Sequence, residues 1–524
     1  MVESYLSSLP TFDVNLPRIS FTEREVFTTL DAVDCSKGPG ADGLQPSFIK
    51  GCSASLAFPV SILFNRSLFE NVFPTLWKEA LITPVHKSGN VHDVTNYRGI
   101  SILSCLSKVF ENLVLDFLYP AVKQIISSDQ HGFVRKRSTT TNLMNYISML
   151  LENLEKRQQI DAVYVDFSKA FDHVPHKLAI DKLKRIGIPT WLVDWISSYL
   201  TGRSACVRLG SAFSDKFEIT SGVPQGSHIG PLLFVLFVND LCNELTSFKL
   251  MYADDLKIFR IITTPVDCCA LQLDINTVID WCDRNGMSVN IKKCCMISFA
   301  RIRSPINFEY SMQSVPIARV TSVKDLGIIL DRKVRFTVHF SAVTAKAYAV
   351  LGLIKRNTRD FHDVYCLKAL YIALVRSLLE YAVVVWAPYH TIHAHRIERV
   401  QKHFMRFALR RLPWRNRLEL PPYGERCALI NLTLNYRRIV LQRLFIFDLL
   451  ADNIQCPELL TKLQINVPSR SLRRTEFFRR SAHRTQYGQN NPMDVCCQLF
   501  NEVYHRFDFN ITKDTFKRRI KLDS

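Results

Sequence analysis

At 524 residues, 47% hydrophobic and 22% charged, the chain is long enough to bury a large core in two or three sub-domains. A net charge of +19 and a pI near 9.3 favour a polyanionic partner, most simply nucleic acid. Met1-Val2-Glu3-Ser4 opens no basic-then-apolar leader, and no uninterrupted apolar run reaches the ~18 residues that span a bilayer, so a soluble intracellular protein without a membrane partner is expected.

In chain order, residues 1–36 read as a lead-in with one helix, followed by the loop Lys37-Gly38-Pro39-Gly40-Ala41-Asp42-Gly43. A helical pattern runs from Pro46 to Glu70, and a strand, Ala80–Val85, enters the turn Lys87-Ser88-Gly89-Asn90. From about 100 to 300 the order is helix, strand (162–167), helix, strand pair, helix, hairpin, helix, strand, which predicts an α+β layer with helices on one face. Within it, the apolar strand Ala162–Val165 ends on Asp166, the loop holding Gln225-Gly226 precedes a helix over Ile229–Leu241, and Tyr252-Ala253-Asp254-Asp255 sits at a hairpin tip. A helix near Leu271–Asn285 stops at Gly286.

Beyond about 340, strands fade and helices dominate, including Ser341–Arg356 and Asp363–Leu379. Over His395–Arg411, Ile397, Val400, Phe404 and Phe407 form an apolar stripe, while Arg396, Arg399, His403, Arg406 and Arg410 form a basic one without an acid. That basic face is a candidate phosphate-tracking surface, a solvated charge face being the alternative, and the arginines between Arg470 and Arg484 are another candidate contact. His390, His393, His395 and His403 read as the polar face of a helix. The fifteen cysteines form no C-x-x-C. Adjacent pairs such as Cys268-Cys269, Cys294-Cys295 and Cys496-Cys497 lie in apolar stretches and read as small hydrophobes in a reducing compartment, not zinc ligands.

The chemistry lies in three carboxylates on strand ends. Asp166, Asp254 and Asp255 brought together make a site for hard divalent cations, and Mg²⁺ favours carboxylates plus substrate phosphates. Two such ions, with Mn²⁺ as the alternative metal, stabilise the attacking and leaving oxygens of an in-line phosphoryl displacement. This is polymerase chemistry.

Asp166-Phe167-Ser168-Lys169-Ala170-Phe171-Asp172, Ser221-Gly222-Val223-Pro224-Gln225-Gly226 and Tyr252-Ala253-Asp254-Asp255, in this order, resemble the central motifs of non-LTR (LINE-type) retrotransposon reverse transcriptases, the jockey-like elements in particular. The resemblance covers about Lys37–Phe340 with specific motifs and continues more loosely to the C-terminus. It implies a right-hand polymerase: fingers and part of the palm over 37–160, palm over 161–340 with a reverse transcriptase domain at about 70–335, and a helical thumb with C-terminal extension over 341–524.

The resemblance also assigns roles. Asp166 and Asp254 would hold the metals, with Asp255 more peripheral. Phe171 would lie under the sugar and exclude a 2′-hydroxyl, core packing being its alternative. Gln225 and Gly226 would meet the templating base pair, and Lys87 and Arg98 would grip the incoming triphosphate. Lys293, or Lys292 beside it, would protonate pyrophosphate. Asp325-Leu326-Gly327-Ile328 resembles the primer grip, centred on Leu326 and Gly327. Gly99 stands where the family usually has Pro, which is expected to loosen its strand, and His228 departs from the commoner wording of its loop, with an effect expected only at the loop surface.

The expected activity is RNA-directed DNA synthesis from a primer 3′-hydroxyl with dNTPs on an RNA template, primed from nicked chromosomal DNA. No endonuclease precedes the polymerase motifs and no RNase H constellation follows them, so nicking would be supplied by a missing N-terminal part or in trans, the chain reading as part of a larger element. The family's life cycle implies work in nucleus and cytoplasm. A group II intron-like reverse transcriptase with maturase function and a catalytically silent nucleic-acid-binding remnant are the two alternatives; oligomeric state is open.

Overall fold

The computed structural model of the protein describes residues 5–7, 9–12, 14–411, 422–427, 433–467 and 476–521. Thr22 and Glu25 exchange reciprocal capping bonds that start α1 (Glu23–Asp31), and its buried Val26 and Leu30 face α2 (Ser53–Glu70). β1 (Glu79–His86) and β2 (Tyr97–Ile102) form an antiparallel hairpin, paired without a break from Leu81↔Ile102 to His86↔Tyr97. Gly99 faces Pro84 inside that ladder, so the strand is intact across the position expected to loosen it. α3 (Cys105–Val122) and α4 (Thr139–Glu155) then lead to β3 (Gln159–Asp166).

After α5 (His176–Arg185) and α6 (Thr190–Leu200), β4 (Arg203–Leu209) adds in parallel to β1 and completes a first sheet with the short strands Ala212–Phe213 and Phe217–Ile219. α7 (Gly230–Val238) is followed by the hairpin of β5 (Phe248–Tyr252) and β6 (Asp255–Ile262), then α8 (Pro265–Asn285), stopped by Gly286 at φ +64°. β7 (Cys295–Phe299) and β8 (Ala318–Arg319) finish a central sheet of order β8-β7-β3-β6-β5. β9 (Ser322–Asp325) and β10 (Ile328–Asp331) form a separate hairpin.

The central sheet is covered on both faces, which corrects the expectation of helices on one. Along β3, Val163 and Val165 join a core with α3, α7 and α8, while Ile160 and Ala162 join a second core with α4 and the C-terminal helices. Period-two alternation carries one strand into both cores, because both of its faces carry apolar residues. The boundaries drawn at 160/161 and 340/341 also fall inside packed units, β3 and α9 (Thr337–Asn357).

The lead-in is part of the structure rather than an appendage: Tyr5, Leu9, Val14 and Phe21 are buried. Tyr5 hydrogen-bonds Asp240, which is also held by Lys182 at 2.8 Å and Trp281 at 3.2 Å. This buried ion pair, roofed by the rings of Phe237 and Trp281, ties the N-terminus to α5 and α8.

The C-terminal helices are α9, α10 (Thr391–Leu409), α11 (Leu434–Leu450), α12 (Pro492–Asn501) and α13 (Lys513–Lys521). Between α9 and α10, Val364–Leu370 continues through a π-turn, Tyr371–Arg376, into Ser377–Glu380. Among the described residues α9 alone has the length and hydropathy to cross a membrane, yet Phe340, Thr344, Ala347, Leu351 and Ile354 form one buried face of it against the second core.

Candidate active site

Asp166 is the last residue of β3 and pairs with Asp255, the first residue of β6. Asp255 also closes the β5–β6 hairpin against Tyr252, so Ala253 and Asp254 form its two-residue turn. The register of one sheet thus brings together all three acids singled out in the sequence. Ala253 sits in the left-handed region at φ +57°, a conformation costing an L-residue about 1–2 kcal/mol.

A segment the sequence reading passed over holds that turn. Gln130, 2% exposed, accepts from Ala253 N at 3.0 Å and Gly132 N at 2.7 Å, and His131 N donates to Met251 O at 2.9 Å. A Cβ on Gly132 would collide with the backbone of Ala253. Asn142 of α4 donates to Met251 O at 3.0 Å. The missed signal is Gln130-His131-Gly132, polar and small residues in a stretch the pattern left unassigned.

The electrostatics are those of crowded, poorly compensated acids. Burial raises the Asp254 carboxyl, with Asp166 adding to the rise and Arg98 and Lys87 opposing it. Asp255 is pushed up to about 6, by lost hydration first and then by Asp254, Asp325 and Asp166. Among the described residues no three His, Cys, Asp or Glu side chains already converge as a ligand cluster. The donor set nevertheless fits hard cations: three carboxylates, no soft ligand, and a charge repulsion that cation binding relieves.

Asp166, Asp255, Lys293 and Leu326 line an open cleft of about 170 Å³. Lys293 Nζ lies 3.7 Å from Asp166 Oδ2. Its loop is fixed to the acid's own backbone, since Asn290 N donates to Asp166 O at 2.7 Å. Lys87 and Arg98 lie exposed at the loop end of the β1–β2 hairpin, and neither has an ion-pair partner among the described residues.

The two remaining motifs interlock. Val223 N donates to Phe171 O at 2.8 Å, Ser221 Oγ to Asp172 O at 2.9 Å, and Gln225 Nε2 to Asp172 Oδ1 at 2.7 Å. Gln225 O accepts from Ser101 N at 2.8 Å, and Gly226, at φ +129°, lies so close to Ser101 O that no Cβ fits. Phe171 stacks on Phe234 at 4.3 Å and meets Phe133 edge-on at 5.8 Å. Its ring is therefore packed from below and only half-buried. His228 is exposed, while its backbone N donates to the buried Glu111 at 2.7 Å at the start of α7.

Leu326 and Gly327 form the tip of the β9–β10 hairpin, both with positive φ. The Tyr381 hydroxyl donates to Leu326 O at 2.9 Å and lies 3.0 Å from the Thr139 hydroxyl, from which it can accept, joining that tip to α4. Under the tip, Lys257 of β6 and Asp325 of β9 form a buried ion pair at 2.6 Å, with Lys257 over the Tyr146 ring at 4.4 Å. Lys257 was not singled out in the sequence, and Asp325 only as the first residue of the primer-grip motif.

Along α10, Ile397, Val400 and Phe404 are buried and Phe407 is partly exposed, stacked under Lys355 and Arg411. Arg396, Arg399, His403, Arg406 and Arg410 are exposed on the other side. Only Arg479, Arg480 and Arg484 of the second basic run lie within the described residues.

Residues 85–330 match the family model described as reverse transcriptase (RNA-dependent DNA polymerase). Over 421 residues the chain is 27% identical to a probable RNA-directed DNA polymerase from transposon BS of Drosophila melanogaster, covering 76% of this chain and 46% of that protein. Over 451 residues it is 28% identical to the RNA-directed DNA polymerase from mobile element jockey of the same species, covering 81% and 48% respectively. A type-1 retrotransposable element R2 Pol polyprotein of Popillia japonica is 27% identical over 276 residues, which is 50% of this chain and 37% of that protein. The chain carries a reverse transcriptase domain, resembles the non-LTR retrotransposon polymerases, and spans about half the length of the curated relatives it matches.

Proposed function

We propose that this chain is the RNA-directed DNA polymerase part of a non-LTR retrotransposon protein, extending a primer 3′-hydroxyl with dNTPs on an RNA template. The observation that carries the reading is the register placing Asp166 beside Asp255, with Asp254 in the turn between β5 and β6. In this reading the first sheet and its hairpin are fingers, the central sheet is the palm, and α9–α11 are the thumb.

Asp166 and Asp254 would hold two Mg²⁺ or Mn²⁺ ions, with Asp255 behind them; bound there, the ions neutralise charge on the attacking and leaving oxygens. Lys87 and Arg98 face Asp254 without acidic partners, free to orient a triphosphate. Lys293 stands beside Asp166 in position to hand a proton to departing pyrophosphate. Phe171, supported by Phe234, presents a ring that excludes the ribose 2′-hydroxyl. Gln225 and Gly226, fixed by Asp172 and Ser101, form the floor for the templating pair. Leu326 and Gly327 hold the primer end, and the Arg396–Arg410 face follows the duplex phosphates. Nicking of the chromosomal target would come from the rest of a longer protein or in trans, and the work would take place in nucleus and cytoplasm.

The test is extension of oligo(dT) on poly(rA) with Mg²⁺, wild type against Asp254→Asn/Asp255→Asn. Synthesis by wild type alone is expected. A folded wild type that binds template–primer and makes no DNA would replace this reading with a binding-only remnant.

A further inference from the structure

We propose that two adjoining cavities among the C-terminal helices, away from the polymerase cleft, bind one nucleotide of a nucleic-acid single strand, phosphate on Arg438 and base among aromatic rings. The first cavity, about 170 Å³, lies between α11, α12 and the segment Val383–Tyr389. Arg438 and Gln442, one turn apart on α11, both line it, and each is only 4% exposed. Arg438 makes one side-chain hydrogen bond, to Asn435 at 3.2 Å, and has no ion-pair partner among the described residues. Glu380 is engaged by Arg437 and Arg376, and Glu398 by the α11 N-terminus and Tyr423. Gln442 makes no side-chain hydrogen bond among the described residues. Arg438 thus presents guanidinium donors to the cavity beyond its bond to Asn435. Its planar fork matches a phosphate.

The second cavity, about 390 Å³, shares Val385, Ala387, Tyr389 and Asn490 with the first, so the two lie side by side along these residues. That volume is in the range of small-molecule sites, about 300–1,000 Å³. Tyr389, Tyr487, Phe336, His390 and His393 supply its rings, and Arg335 lines it as well. Tyr389 remains 44% exposed, with the His390 ring tilted against it at 4.1 Å. Rings beside an anion-seeking pocket on a chain of net charge +19 fit a base with its phosphate better than either group alone. No polymerase chemistry is needed for this binding.

The full chain would be ultraviolet-crosslinked to single strands of about 12 nucleotides bearing one central 5-iodouridine, as RNA, or 5-iodo-2′-deoxyuridine, as DNA. Adducts on Tyr389 or Tyr487 are expected, and the strand that yields them identifies the source. Arg438→Met should lower the adduct yield about tenfold or more while melting no lower than wild type. If that variant cannot be purified, Tyr389→Ala should lower the adduct at Tyr487 by the same factor. Asp254→Asn/Asp255→Asn should leave the adducts unchanged, which separates this site from the active site. No adduct on either tyrosine, an unchanged yield in the pocket variants, or loss of the adducts in the active-site variant would overturn the proposal.

Discussion

Removing one member of the Lys257–Asp325 pair should release the β9–β10 hairpin from the central sheet. The side chains are 4% and 6% exposed and their charged atoms are 2.6 Å apart. At an effective dielectric near 20, that separation corresponds to about 6 kcal/mol of attraction. Dehydration of each ion costs several kcal/mol, so the pair itself contributes little net stability. Burial indeed lowers the Lys257 pKa, against the opposing pull of Asp325. Cutting the pair is another matter, because Asp325→Ala leaves an ammonium buried without its counter-ion, at a cost of about 3–5 kcal/mol.

Hydrogen exchange reads this locally, which suits a chain too large for a single two-state transition. Amides of residues 322–331 should exchange about a hundredfold faster or more in Asp325→Ala and in Lys257→Ala. Lys257→Met/Asp325→Leu should recover most of that protection. Primer extension should follow hairpin order, with primer affinity weakened in both single variants. Equal protection in all four proteins would refute the reasoning, as would additive losses with a coupling below about 0.5 kcal/mol.

Other expectations follow from single groups. His131 is 1% exposed and held far below its ordinary value, at about 3, by burial. The unfolded chain takes up a proton below about 6.5 and the folded one does not, so stability falls with pH from 6.5 toward 3, by about 2 kcal/mol at pH 5. His339, lowered to about 4, acts in the same direction, so His131→Gln should flatten, and not abolish, the fall in melting temperature between pH 7 and 5. Phe171→Ala should admit ribonucleotides, read as a drop of about tenfold or more in dNTP-over-rNTP preference; unchanged discrimination would leave Phe171 as packing for Phe234. Reversing Arg399, Arg406 and Arg410 to Glu should make the log–log salt slope of template–primer binding shallower by about 0.9 for each phosphate no longer neutralised, and an identical slope would make α10 a solvated face.

The parts of the site legible in the sequence were those that chemistry dictates locally. Acids at strand ends and a glycine at a tight loop each show their type in a few residues. What holds them is non-local. Gln130 supports Ala253 from 123 positions away, and Asp325 meets Lys257 across 68. Neither spacing belongs to any helix or strand period, so no pattern in one sequence exposes it. The two-sided burial of the central sheet was missed for a related reason: Ile160–Val165 is apolar throughout except for Asp161, and such a run fits a sheet covered on one face or on both.

The buried acids and the acids of the cleft differ in how they are compensated. Glu111 accepts from His228 N and Ser107, Glu398 from Leu434 N and Asn435 N, and Asp240 and Asp325 each hold a lysine. These carboxylates are compensated where they stand, and their work is to fix helix starts and hairpins. Asp254 and Asp255 are different, each raised by burial and then by neighbouring acids, with Lys87 and Arg98 providing only partial opposition to Asp254. A fold that satisfies acids such as Glu111, Glu398, Asp240 and Asp325 gains nothing for stability by crowding Asp254 and Asp255 together, since their mutual repulsion opposes folding. In the proposed reading a cation arriving with the substrate relieves this crowding, and the hydrogen bonds of Gln130 and Asn290 hold the acids in place for it.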